Sequence, residues 1–371
     1  MILVYFKRFV RYIITRRCPR FVSNCLLWLT DIGVSVKMYG GYTAAEHINE
    51  NCELFLNKEQ LNDRELMKRI RKDIMYCYVR YGTNANEFFS YHFLEKNSKE
   101  RDTYLPRLTK DRMLVSQMRG KNRVFFEQIK NKYKFYEIAY TFFKRDVCRI
   151  MTNEDLTPFL AFSKKHTKFI AKPISGHCGN GVEIISIDTF EGDAKKVFAY
   201  LHQTETSSYI VEELVEQDSR MAEWNISSLN TIRVPSMRTS WGVTIFYPSI
   251  RIGRAGSIID NAGAGGTFAA IDPKTGIIIS NGYDKRGHSF AEHPDSHKPY
   301  MGCQIPDWDA LINDVKDLHA IMAKEHKYIA FDMALSTKGW VVVEANWGEL
   351  SMPQIEFGKG LKTEFKELLM S

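Results

Sequence analysis

The run Phe331-Asp332-Met333-Ala334-Leu335-Ser336-Thr337-Lys338-Gly339-Trp340-Val341-Val342-Val343-Glu344-Ala345-Asn346 decides how this chain is read. Two short segments rich in apolar and β-branched residues flank a glycine-containing turn, the pattern of a β-hairpin. If Ser336 pairs with Trp340 across Thr337, Lys338 and Gly339, then Asp332 lies directly opposite Glu344. Asn346, two residues further on, points to the same face. Like charges set opposite each other on a sheet repel, so the arrangement needs a counter-charge. A hard divalent cation supplies one, since Mg²⁺ takes carboxylate oxygens together with substrate phosphates and water. The hairpin therefore reads as a metal-nucleotide site.

Composition sets the frame. With 371 residues, 44% hydrophobic and 26% charged, the chain has the make-up of a soluble globular protein holding more than one compact unit. The formal net charge of +7 is concentrated at the start: no acidic residue precedes Asp31, while Lys7, Arg8, Arg11, Arg16, Arg17 and Arg20 lie before it. Two readings of that segment stay open, an amphipathic helix touching an anionic inner membrane surface or a packing helix with solvated arginines, and the second is preferred. Its longest apolar run is cut off by Asp31 and is too short to cross a bilayer. Beyond it no basic stripe or reader motif points to nucleic acid. Seven scattered cysteines without CxxC spacing argue against a disulfide framework and fit a cytoplasmic protein.

The first third, to about residue 125, reads as helices, with the aromatic segment Tyr78 to Phe93 as core and Arg64 to Ile70 as part of an exposed helix. From there the texture turns to alternating strands and helices, with long β segments over Thr231–Met237, Val243–Gly253 and Thr267–Ile279, the last containing a turn at Asp272-Pro273-Lys274-Thr275-Gly276.

Three further constellations carry chemistry. In Ile170-Ala171-Lys172-Pro173-Ile174-Ser175-Gly176-His177-Cys178-Gly179-Asn180-Gly181, a strand delivers a lysine into a glycine loop whose N–H groups can cradle an anion. It is neither a Walker A loop nor a dinucleotide fingerprint, because a strand follows the glycines where those need a helix. The run Tyr209 to Asp218 brings carboxylates out of a buried strand, suited to an exocyclic amine or ribose hydroxyls. His288, His293 and His297 lie in a loop-like segment that makes a poor metal platform. Cys178, inside the glycine loop, has no base placed beside it by the sequence, so it does not read as a nucleophile.

Taken in order, Asn131-Lys132, Lys172-Pro173 with its glycine loop, Glu212-Glu213-Leu214-Val215, and Asp332 followed by Glu344-x-Asn346 resemble the ATP-grasp superfamily. Ser228 to Arg233 and Asp260 to Gly266 resemble its sugar-transfer-associated branch more specifically. The resemblance implies an α+β fold: a mainly helical region over residues 1–125, then an ATP-grasp domain over 126–371 with a lid at about 150–220 and a larger β-sheet subdomain at about 221–371. It implies ATP and Mg²⁺. Lys132 and Lys172 would contact phosphates, with Gly176, Gly179 and Gly181 in a covering loop. Glu212, Glu213 and the backbone at Val215 would hold adenine, Asp218 the ribose, and Asp332, Glu344 and Asn346 the metal.

One departure stands out. Ligases similar to D-alanine:D-alanine ligase carry an arginine two positions before the metal aspartate, where this chain has Ala330. The anion-stabilising role would pass to Arg233 and Arg251; strand parity sends Arg254 to the opposite face from Arg251. The expected activity is a carboxylate–amine ligase working through an acylphosphate in cell-surface polysaccharide assembly, with an amino sugar as one candidate amine. The alternatives are a phosphotransferase acting on a hydroxyl and a non-catalytic ATP-binding partner.

Overall fold

The computed structural model describes residues 45–371 apart from 119–123, 125, 176–180, 203–207, 258–259, 261–262, 264 and 349. The basic N-terminal segment, Gly176, Gly179 and Cys178 therefore lie outside the described residues. The chain divides into two units, one running to Leu114 and adding Lys285–His288 and Glu349–Glu367, the other holding the remainder.

The first unit is helical, and its helix starts are written locally. Asn57, Asn84 and Asn97 each cap a helix, and Gln60, Glu87 and Glu100 three residues on return the bond to the cap backbone. The helix Arg64–Tyr81 runs well beyond the charged stretch seen in the sequence and ends at Gly82, whose positive φ of 79° favours glycine. Met67, Ile70 and Ile74 on this helix are buried at helical spacing, so it is amphipathic rather than simply exposed. Phe88, Tyr91 and Phe93 are core, as their clustering implied. The returning segment is held by Gln354, whose Oε1 accepts from the Leu105 N–H at 2.7 Å and whose Nε2 donates to the Leu105 carbonyl at 3.0 Å.

The second unit contains two antiparallel sheets. The smaller is formed by β1 (Val147–Ile150), β2 (Lys168–Pro173), β3 (Glu183–Ser186) and β4 (Tyr209–Glu213) in the order β1-β4-β2-β3. The helices Leu156–Lys165 and Ala194–His202 bury Phe159, Phe198 and Leu201 against it.

The larger sheet has eight strands: β5 (Thr231–Thr239), β6 (Gly242–Ile245), β7 (Ser249–Ile252), β8 (Thr267–Ala270), β9 (Gly282–Tyr283), β10 (Ser289–Phe290), β11 (Tyr328–Ser336) and β12 (Gly339–Asn346). Their order is β10-β9-β8-β7-β5-β11-β12, with β6 also paired to β5. The long segment expected over Val243–Gly253 is broken into β6 and β7. Both still pair with β5, and the break falls at Phe246-Tyr247-Pro248, where Tyr247 has φ 52° and proline offers no N–H. The segment Thr267–Ile279 turns at Asp272–Gly276, as that run implied, with β8 before the turn.

Strand alternation positions the chemistry. Ile232, Val234, Ile250, Ile252, Phe331 and Met333 face a core shared with the helices Lys132–Phe143 and Trp308–Ile321. Their neighbours Thr231, Arg233, Arg251 and Asp332 consequently face the other side.

On the core side, His319 and His326 are fully buried, and burial pushes both imidazoles down to about 4. Their ordinary value of 6.5 is restored on unfolding, so the unfolded chain takes up protons that the folded one refuses. Stability from these groups is thus fully present above pH 6.5 and falls as pH drops toward 4, by about 1.4 kcal/mol per pH unit per imidazole. Urea melts between pH 7 and 5 should show a falling midpoint, and a flat profile would contradict this burial.

Candidate active site

The hairpin does bring Asp332 opposite Glu344, by a different route from the one expected. Ser336 pairs with Gly339 rather than Trp340, one residue tighter, and Gly339 takes a positive φ of 87°. A bulge then restores the opposition: Met333 pairs with Val342 and Asp332 with Glu344, leaving Val343 as the extra residue.

Asp332 has a second neighbour. On its other side β5 sets Arg233 directly across from it. Arg233 donates bidentately, Nε to Oδ1 and Nη2 to Oδ2, each at 2.8 Å. Arg251 on β7 adds Nη1 to Oδ2 at 2.8 Å. Burial alone would push the Asp332 carboxyl up; the two guanidinium groups outweigh it and hold the group below the usual carboxylate range. Arg233 is held above its ordinary value: burial lowers it, and Asp332 more than reverses that.

Arg251 also reaches Asp260, Nη2 to Oδ1 at 3.0 Å. Asp260 accepts from the Thr231 N–H at 3.1 Å and from the Thr231 hydroxyl. Two carboxylates and two guanidinium groups thus share one buried, formally neutral cluster. Ala330, where the resemblance led one to look for an arginine, is fully buried, and a Cβ built on Gly348 would lie 2.6 Å from its own. There is no space there for a guanidinium, and cross-strand pairing supplies one from β5 instead.

Glu344 and Asn346 lie beside this cluster. The Asn346 Nδ2 donates to Glu344 Oε1 at 3.2 Å, while the buried Asn346 Oδ1 has no hydrogen-bond partner. An orphaned amide oxygen beside a carboxylate fits a hard divalent cation. Asp332 fits less freely, since three N–H donors already occupy its oxygens.

Lys132 opens the helix Lys132–Phe143, whose N-cap Asn131 accepts from the Lys134 N–H. Burial lowers the Lys132 ammonium below its ordinary value, countered by the charge of Glu344. A cavity of about 70 Å³ is lined by Lys130, Lys132, Glu212, Glu344 and Asn346 over apolar Phe135 and Phe143. Lys172 on β2 reaches the same carboxylate, Nζ to Glu212 Oε1 at 2.9 Å. Gly181 closes its loop with φ 72°, and a Cβ there would lie 2.9 Å from Pro173 Cγ.

The acidic run behaves differently from its first reading. Glu212 faces the cavity, but Lys172 and Arg145 take both of its oxygens and hold it below the usual range despite full burial. Glu213, the next residue on the strand, faces the other side, where it accepts from the Asp146 N–H at 3.0 Å and from Lys338 at 2.9 Å. Period-two alternation sends adjacent side chains to opposite faces, so the two carboxylates do not meet in one place. Val215 lies in the stretch after β4. Asp218 caps the short helix Ser219–Ala222 and pairs with Arg220, and those bonds hold it below the usual range. Of the histidines, His293 is buried against Ser296 and the Gly253 carbonyl, whereas His288 and His297 are exposed. Arg254 lies past the end of β7, pairs with Asp295 at the surface and does not join the Asp332 cluster.

Arg145 escaped the sequence reading. Its guanidinium joins Glu212 on β4 to the Val342 carbonyl on β12 at 2.8 Å, bonding the small sheet to the large one beside the cavity. Nothing in its Lys-Arg-Asp context separates it from a surface arginine at a helix end.

Comparison with known proteins bears on this geometry. The family model described as sugar-transfer associated ATP-grasp matches residues 117–368. Among solved structures, the ATP-grasp ligase PsnB with its minimal precursor aligns at TM-score 0.42 and 10% identity, covering 73% of this chain and 70% of that one. D-alanyl-alanine synthetase A from Vibrio cholerae aligns at 0.36 and 11%, covering 66% and 64%. The ADP complex of N5-carboxyaminoimidazole ribonucleotide synthetase aligns at 0.35 and 13%, covering 59% of this chain and only 45% of that protein. No curated protein matches significantly. The family match spans well over half of the sequence and takes in every one of the motifs above, so the chain belongs to the sugar-transfer-associated ATP-grasp family.

Proposed function

We propose that this protein is an ATP- and Mg²⁺-dependent carboxylate–amine ligase. One observation carries the reading: half-buried Arg233 and buried Arg251 converge on Asp332 beside the orphaned Asn346 oxygen and Glu344, and these last two line one cavity with Lys132. This is a site built to gather phosphate charge, and no nucleophile is needed in it.

Glu344 and Asn346, with Asp332 contributing its remaining lone pair, would hold Mg²⁺, which supplies charge neutralisation to the phosphates when bound. Lys132 and Lys172 would bind phosphate oxygens, and the apolar walls Ile129, Phe135 and Phe143 would exclude water. In the reaction, a substrate carboxylate oxygen takes the γ-phosphoryl group of ATP and ADP departs. An amine then attacks the acylphosphate carbonyl, phosphate leaves, and an amide forms with loss of the amine proton. Arg233 and Arg251 would stabilise the anionic charge of both steps. Family membership points to glycan assembly, with an amino sugar as a candidate amine.

The test is ATP consumption across pools of amino acids and amino sugars, with mass spectrometry of the products. The expected result is ADP together with an amide. A phosphorylated hydroxyl product would favour a phosphotransferase, and ADP absent under every mixture would favour a non-catalytic nucleotide-binding protein.

A further inference from the structure

Arg233 and Arg251 meet the same carboxylate but are not held alike. Arg233 is a two-toothed clamp on Asp332 alone. Arg251 spends one nitrogen on Asp332 and a second on Asp260, so the orientation of its planar guanidinium is set from two sides. Asp260 is itself anchored: it accepts both the backbone N–H and the hydroxyl of Thr231, the residue directly across the strand pair from Arg251. The geometry forms a closed loop, Thr231 to Asp260 to Arg251 and back through the β5–β7 ladder.

We propose that Asp260 is a positioning residue that aims Arg251 at the transferred phosphoryl group; this rests on the ATP-dependent reading above. Two physical points favour that role over a purely structural one. A buried carboxylate is expensive, and burial together with the nearby Asp332 charge raises the Asp260 carboxyl despite Arg251 and Thr231. Replacing a buried ion pair by apolar packing is often neutral or stabilising, so its presence is not explained by stability. What Asp260 does supply is direction: it fixes one edge of a fork whose remaining N–H groups are then presented in a set plane. A guanidinium pre-aimed at developing phosphate charge needs no reorganisation when that charge arrives.

The experiment compares binding of Mg²⁺–AMP-PNP and Mg²⁺–ADP to the full chain, because only the former carries a γ-phosphate. Asp260→Asn keeps the side-chain shape and removes the charge. Its preference for AMP-PNP over ADP is expected to drop by about tenfold, the value of one charge-assisted hydrogen bond, with ADP binding to the folded variant little changed. The unfolding midpoint falls as well, because Arg251 loses a buried partner, so the nucleotide ratio carries the test. Asp260→Asn combined with Arg251→Ala should be no worse than Arg251→Ala alone, since the two act as one unit. Additive losses, or equal weakening of both nucleotides, would overturn the proposal.

A second readout needs no nucleotide. Modification of Arg251 by phenylglyoxal, mapped by mass spectrometry with Arg254 as internal reference, should accelerate in Asp260→Asn. If the parent protein binds neither nucleotide, the ligase reading fails while this measurement still decides whether Asp260 orients Arg251; an unchanged Arg251 rate would end the inference.

Discussion

Asp332→Asn is expected to destabilise the protein by about 3–5 kcal/mol, the usual result of removing one partner from a buried ion cluster. The carboxylate accepts from three guanidinium N–H groups in a site with little access to water. Without it, Arg233 loses both of its hydrogen bonds and Arg251 keeps only Asp260, and an uncompensated positive charge remains in low dielectric. The asparagine amide also turns one acceptor oxygen into a donor facing donors. A urea melt reads the effect directly, and a variant as stable as the parent would show that water or rearrangement screens the arginines. Because activity would fall along with stability, loss of turnover in this variant says nothing about metal binding.

Glu344→Gln is the informative counterpart. Nucleotide turnover dependent on Mg²⁺ is expected to fall on the order of a hundredfold or more, as when a principal charge contact at a phosphoryl-transfer site is removed. The unfolding midpoint should scarcely move, because Glu344 is only partly buried and its one protein hydrogen bond, from Asn346, can be made to a glutamine oxygen as well. Across the same strand pair, then, one carboxylate anchors two arginines, and on the proposed reading the other would serve mainly as a metal ligand. Normal activity in Glu344→Gln would sink the metal assignment, whatever Asp332→Asn shows.

These two residues also show how much was legible beforehand. The alternation of apolar and polar residues in Phe331–Asn346 was enough to place Asp332, Glu344 and Asn346 on one face, because a strand has a period of two whatever surrounds it. The opposition of Asp332 and Glu344 was legible for a less secure reason, since a tighter turn and a bulge cancelled each other. Adjacent Glu212 and Glu213 invited a joint role that the same period denies them. Arg251 and Arg254 do meet different carboxylates, although the strand ends before Arg254, so the chain's exit from β7 rather than strand parity sets its partner. The turn at Asp272–Gly276 was legible from its Asp-Pro and Gly, whereas the break at Tyr247-Pro248 was visible only as residues, its effect on strand length depending on how the chain paired with β5 afterwards.

By itself the sequence determined the hairpin, the faces its carboxylates take, the lysines and arginines available, and the order of motifs that marks the family. Only the tertiary structure decided what each carboxylate is bonded to. A strand inside a sheet has two lateral neighbours, and the hairpin reveals just one of them. The other, β5, lies about a hundred residues earlier, with β7 beyond it, and they bring Arg233 and Arg251 to Asp332. Local periodicity fixes which way a side chain points; non-local pairing fixes what it meets there.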